Sequence, residues 1–283
     1  VHLELVRLAN NCLAEYPEVL FRLPRLKWVA LAANPCCPLP PLETGTGTGS
    51  GRQIRQFDSR NAELVEKIGK GASGDVWSMR PTGTSDGGEK DAAGSGSASY
   101  PADYALKLYS SQTVGSDGAP INELHMLVHA GAHPGLVPLA GMWVEEDGRV
   151  GGVVLQRLHG FEAIGHPPTF ETVTRDVYPR PFSRATAERY VAQVTASLAA
   201  LHARQLIHGD VYAHNVLARP SATSASADLC QQALLSDLGA TFWVEDPKVF
   251  ARFRAIELRA LAVFRDEILA QVAEEEEEEE RIT

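Results

Sequence analysis

The first 35 residues repeat themselves: Leu3, Val6, Leu8 and Asn11 return as Leu26, Val29, Leu31 and Asn34, each 23 residues on. A period of this length describes a small unit that stacks on its own copy, with the apolar positions facing a shared core. The asparagine suits the point where a short strand turns away, because its side chain satisfies backbone groups there. An amphipathic helix with a loop gives no reason for Asn to return at the same spacing. Fewer than two units are present, and stacked repeats depend on their neighbours for burial. The expectation is that more repeats lie upstream of Val1 and that the chain is a fragment of a longer one.

After the repeat, the run from Asn34 to Arg52 shifts to Pro, Gly, Thr and Ser, which cannot support a core. The expected organisation is repeats over 1–40, a linker over 41–60, a second domain over 61–273 and an acidic tail over 274–283. A further low-complexity stretch, Pro81 to Asp103, lies between two strand-like runs and reads as an enlarged hairpin loop. Glu274 to Glu280 carry seven charges of the net −10, so the body of the chain is close to neutral. That excludes a basic nucleic-acid surface. No apolar run approaches the roughly 20 residues a membrane helix needs. Cysteines occur at 12, 36, 37 and 230 without metal-site spacing, and read as reduced thiols of a cytoplasmic protein.

Within the second domain, Gly69, Gly71 and Gly74 are spaced G-x-G-x-x-G and followed by Val76. A dinucleotide site would set such glycines between a strand and a helix. Here "VEKIG" and "GDVWSM" flank them, predicting a strand–turn–strand. A loop without β-carbons can lie close over phosphates and offer them backbone N–H groups. Ile68 and Val76 would then pack on a purine base. "YALKLY" predicts a strand carrying Ala105 and Lys107, and "INELHMLVHA" a helix carrying Glu123, a partner for a buried ammonium. Strands are predicted around 139–145 and 152–155, and Gln156 to Leu158 follow as a hinge. Tyr190, Val194, Leu198 and Leu201 have helical spacing and lead into "IHGDVYAHNVL". In that loop Asp210 suits proton acceptance. Asn215, five residues on, suits holding a metal ion through its amide oxygen.

These motifs, in this order over about residues 61–272, resemble the protein-kinase-like superfamily. More narrowly, "HGDVYAHNVL", "LLSDLGA" and "IELRALAVF" behind the 23-residue period resemble a leucine-rich-repeat protein kinase family whose catalytic loop reads HGD-x-YAHN. The resemblance implies an α+β, bilobal protein-kinase-like fold with a small lobe over 61–158 and a short large lobe over 159–273, preceded by a partial leucine-rich-repeat solenoid. It implies ATP and Mg²⁺ as cofactors and a Ser or Thr hydroxyl of a protein as acceptor, the repeats being its recruiting surface. By the same resemblance Asp210, Lys107 and Glu123 are catalytic, Lys107 pairing with Glu123 to meet the α/β-phosphates. Ile68, Gly69, Gly71, Gly74, Val76, Ala105, Lys107, Gln156 and Leu158 bind nucleotide, and Asn215 and Asp237 hold the metal. His208 packs and holds the loop, His214 makes a loop hydrogen bond, and Glu257 stands where an acid anchors the catalytic-loop backbone.

The chain also departs from the pattern. Gly209 and Tyr212 stand where Arg and Lys are usual, and about twenty residues separate Asp237 from Glu257 with no A-P-E, leaving a minimal acceptor platform. Two other readings therefore stay open: a nucleotide-binding pseudokinase scaffold, and a small-molecule kinase of the aminoglycoside or choline type.

Overall fold

The structure is a computed structural model that describes residues 2–40, 54–71, 74–82, 103–110, 120–219 and 232–272. The glutamate run, Cys230 and most of the 81–103 loop lie outside the described residues.

In chain order the elements are β1 (Leu5–Arg7), β2 (Trp28–Ala30), β3 (Gln56–Phe57), β4 (Ala62–Gly71), β5 (Gly74–Pro81), β6 (Tyr104–Tyr109), α1 (Pro120–Ala130), β7 (Leu139–Val144) and β8 (Val150–Gln156). There follow β9 (Glu162–Ala163), α2 (Arg184–His202), β10 (Leu206–Ile207), β11 (Val216–Ala218), β12 (Ala233–Leu235), β13 (Phe242–Trp243) and α3 (Pro247–Ala270). The architecture is mixed α+β, with several sheets and, among the described residues, three α-helices. It is neither a solenoid nor a barrel. No described helix is long and apolar enough to cross a membrane.

The chain divides into two compact units. One comprises Glu43–Thr113 with Pro138–Arg157 and is built on a six-stranded sheet in the order β3-β7-β8-β6-β5-β4. Neighbours pair antiparallel except β3, which lies parallel to β7. One apolar face of the sheet gathers Phe57, Met79, Leu106, Trp143 and Val154 into a core. Phe57 corrects the expected linker at its far end. An aromatic side chain there gains by burial, so Gln56–Phe57 joins the sheet as an edge strand. The glycine motif forms the predicted hairpin: Gly69 faces Val76 and Gly71 faces Gly74. A β-carbon on Gly74 would collide with the carbonyl oxygen of Leu108, so close strand packing by itself demands glycine there.

The other unit comprises Val1–Leu42, Val114–Val137 and Leu158–Thr283. The 23-residue period becomes a parallel strand pair with Leu5, Val6 and Arg7 opposite Trp28, Val29 and Ala30. Asn34 closes it: Oδ1 accepts from the N–H groups of Asn11 and Leu13, and Nδ2 donates to the carbonyls of Leu8 and Leu31. The missing burial comes from the other end of the chain. Leu20, Leu26, Val29 and Leu31 share one core with Ile207, Phe242, Val244, Phe253 and Ile256. Polar clamps fix that packing, with the Arg259 guanidinium donating to the carbonyls of Leu23 and Leu26 and the Arg252 guanidinium donating one hydrogen bond to each carboxylate oxygen of Glu18.

The long helices have readable causes. Helix α2 begins at Ser183, whose hydroxyl accepts from Thr186 N–H, and buries Tyr190, Val194, Leu198 and Leu201 on one face. Helix α3 begins at Asp246, which accepts from Lys248 and Val249 N–H, with Pro247 at the first helical position. Its buried face carries Phe253, Ile256, Ala260, Phe264 and Ile268, and among them the carboxylate of Glu257.

Candidate active site around Asp210

Strand β10 delivers the chain into a loop whose backbone is fixed from α3. Glu257 is buried, and its Oε1 accepts from Gly209 N–H at 2.7 Å while Oε2 lies 2.6 Å from His202 Nε2. This is the anchoring role expected of Glu257. Gly209 has φ +81, a conformation that L side chains rarely adopt, and a β-carbon there would come 2.7 Å from the Val29 carbonyl oxygen of β2. A side chain such as Arg at this position is therefore disfavoured by the backbone geometry and by the neighbouring strand β2.

His208 is fully buried and holds the loop as expected. Its Nδ1 accepts from Asp210 N–H at 3.3 Å, which assigns the proton to Nε2, donating to the Ser236 carbonyl at 3.1 Å. Asn215 donates twice through Nδ2, to the Asp210 carbonyl and to Asp210 Oδ2, both at 2.9 Å. That use of the amide leaves Oδ1 as the atom suited to a cation. Ser236 donates its N–H and its hydroxyl to the Asn215 carbonyl, each at 2.8 Å, continuing the β11–β12 ladder by one step. Asp237, the next residue, is thus brought beside Asn215. It sits exposed at φ 53, and its Oδ1 accepts from Gly239 N–H. An amide oxygen and a carboxylate, with a second carboxylate at Asp210, fit a hard divalent cation such as Mg²⁺.

His214 also makes the expected loop hydrogen bond. Its Nδ1 lies 2.8 Å from Asp176 Oδ1, and its backbone N–H donates to Asp176 Oδ2. Burial disfavours its charge, but the bond to Asp176 and the carboxylates of Asp176, Asp210 and Asp237 outweigh this and raise the imidazole above its ordinary pKa.

Three participants were not singled out in the sequence. Trp28 stacks on Tyr212 at 4.5 Å and 8°, and its indole N–H donates to the Val211 carbonyl at 2.9 Å. Tyr212 in turn stacks on His214. Arg7 reaches Asp210 Oδ1 at 3.4 Å. Asp176 is the third, tied to His214 from a separate loop. The only sequence signal for Arg7 was its place between Val6 and Leu8 on a strand, which puts it on the face opposite the repeat's core.

The remaining expected residues fall as follows. Glu123 is buried on α1, beside Asn122, whose amide donates to the carbonyls of Gly239 and Thr241. Leu158 belongs to the same unit as Asp210. In the six-stranded sheet, Lys107 is buried on β6 and registers with Val76 of β5 and Val153 of β8. Ala105 registers with Ser78, and Ile68 is exposed on the hairpin. Gln156 ends β8 and donates its N–H to the Pro138 carbonyl. Beyond it, Arg157 donates to Ser78 Oγ and pairs with Glu66.

Compared with models of known protein families and with curated proteins, the chain matches none.

Proposed function

We propose that this chain is an ATP- and Mg²⁺-dependent protein kinase of the protein-kinase-like fold, with a leucine-rich-repeat segment in front, that moves the γ-phosphate to a Ser or Thr hydroxyl. The observation that carries the reading is the Asp210 carboxylate held by Asn215, in a loop whose backbone is anchored by Glu257. A carboxylate so oriented accepts the hydroxyl proton as the acceptor oxygen bonds to the γ-phosphorus and the bond to the departing ADP oxygen breaks. Asn215 and Asp237 would hold Mg²⁺, which supplies charge neutralisation at the phosphates. Lys107, with Glu123 as its partner, and the glycine hairpin would bind the nucleotide.

The test is Mg²⁺-dependent transfer of labelled γ-phosphate from ATP, to the chain itself and to a generic protein acceptor. Asp210→Asn is expected to abolish transfer and spare nucleotide binding, whereas Lys107→Met weakens both. Equal transfer by the wild type and Asp210→Asn removes Asp210 from the mechanism. One observation favours a scaffold instead: the Arg7 guanidinium sits on the Asp210 carboxylate, where an acceptor hydroxyl would approach. ATP binding without transfer selects that second reading.

A further inference from the structure

We propose that Arg7, carried on repeat strand β1, is the cation that stabilises the transferring phosphoryl group at Asp210. The inference rests on the kinase reading and adds a residue that the catalytic loop itself does not supply. A phosphoryl group moving beside Asp210 and Asp237 brings negative charge toward two carboxylates, and a preorganised cation is the physical remedy. Within the loop, from His208 to Asn215, neither Lys nor Arg occurs. Tyr212 is committed to the stack between Trp28 and His214, and His214 is committed to Asp176.

Two neighbouring cations bond carboxylates other than Asp210. Lys27 bonds Glu4 at 2.6 Å. Arg175 bonds Glu4 and pairs with Glu267. Arg7 is the described Lys or Arg whose guanidinium meets Asp210, and its side chain stays about one-third exposed, within reach of an entering substrate. Its strand is held in place by pairing and packing. Arg7 is opposite Ala30 in the parallel pair, and Ala30 packs with Ala9 and Ala240. One residue away, the Val29 carbonyl lies against Gly209. The repeat strand is therefore seated on the catalytic loop, and Arg7 is the side chain it presents to the carboxylate. With phosphate absent the guanidinium rests on Asp210; with phosphate present, its planar fork suits phosphoryl oxygens.

The experiment compares the full chain with Arg7→Ala, Arg7→Lys and Asp210→Asn, measuring kcat and KM for ATP and the melting temperature of each. Arg7→Ala is expected to lose on the order of 10²-fold in kcat with KM for ATP and melting temperature unchanged. Arg7→Lys should recover most of the loss, and free guanidinium ion added to Arg7→Ala should restore part of it. Wild-type kcat in Arg7→Ala overturns the proposal, and a faster variant overturns it by making Arg7 a brake. A loss that neither lysine nor guanidinium relieves, accompanied by a lower melting temperature, also overturns it in favour of a purely structural role. Absence of transfer by the wild type itself is the separate failure, since it removes the kinase reading and Arg7's role together.

Discussion

The two compact units are assembled by different logics. In the six-stranded sheet, β4, β5 and β6 pair in chain order, each strand meeting the next, and β7 pairs with β8 across a tight turn. In the other unit, Glu18 meets Arg252, 234 positions away, and Arg7 meets Asp210, 203 positions away. The first kind of unit mixes pairings of consecutive strands with longer ones, β6 with β8 and β3 with β7. The second is specified by surfaces that only the finished fold brings together, and the proposed catalytic loop belongs to it.

Substitutions can break that contrast or sharpen it. The largest effect is expected from Trp28→Ala, which removes a fully buried indole, its stack on Tyr212 and its bond to Val211. A loss of about 3–5 kcal/mol in urea denaturation is expected, because truncating a buried Trp costs that much. A variant as stable as the wild type would make the repeat an appendage and dissolve the contrast. Next, Gly74→Ala forces a β-carbon against the Leu108 carbonyl, and about 1–3 kcal/mol of overpacking strain is expected. Hydrogen exchange should place that loss in β4, β5 and β6, and exchange that speeds equally around Asp210 would show the sheet to be less self-contained than its pairing implies.

The smallest effect concerns acid. Burial tends to raise the Glu4 carboxyl, but bonds from Lys27, Arg175 and Thr174 outweigh it and hold the group at about 2 rather than 4.5. A depressed folded pKa gives stabilisation that is complete above about pH 4.5 and lost as the pH falls toward about 2. Glu4→Gln should flatten the stability profile in that window. The change is expected to be below about 1 kcal/mol, because the carboxylate stays partly open to solvent and is screened. A profile identical to the wild type would show the Glu4 bonds to contribute nothing.

Legibility in the sequence follows the same division. The hairpin of β4 and β5 was readable because its glycines and β-branched neighbours act over a few residues. Helix α2 was readable from apolar spacing, as was the repeat from its matched asparagines. The closeness of Asp210 and Asn215 was readable because they lie five residues apart in one loop, and the structure bonds them. The partner of the repeat was not readable. Val29 and Leu31 announce that they need burial, but nothing in their spacing says that Phe242 and Phe253 provide it. The same holds for Asp176 under His214 and for Arg7 on Asp210, where a polar side chain's preference names a kind of partner and leaves its address open.

The shared core of the repeat and α3 also sets an order of events during synthesis. Chains are made from the amino terminus at ~5–20 residues per second. The 234 positions between Glu18 and Arg252 therefore correspond to roughly 10–50 s of elongation. For most of that interval Leu26, Val29 and Leu31 have been made while Phe253 and Ile256 have not, so the α3 side of their shared core is completed last. A segment made long before α3 is thus packed in part only when α3 arrives.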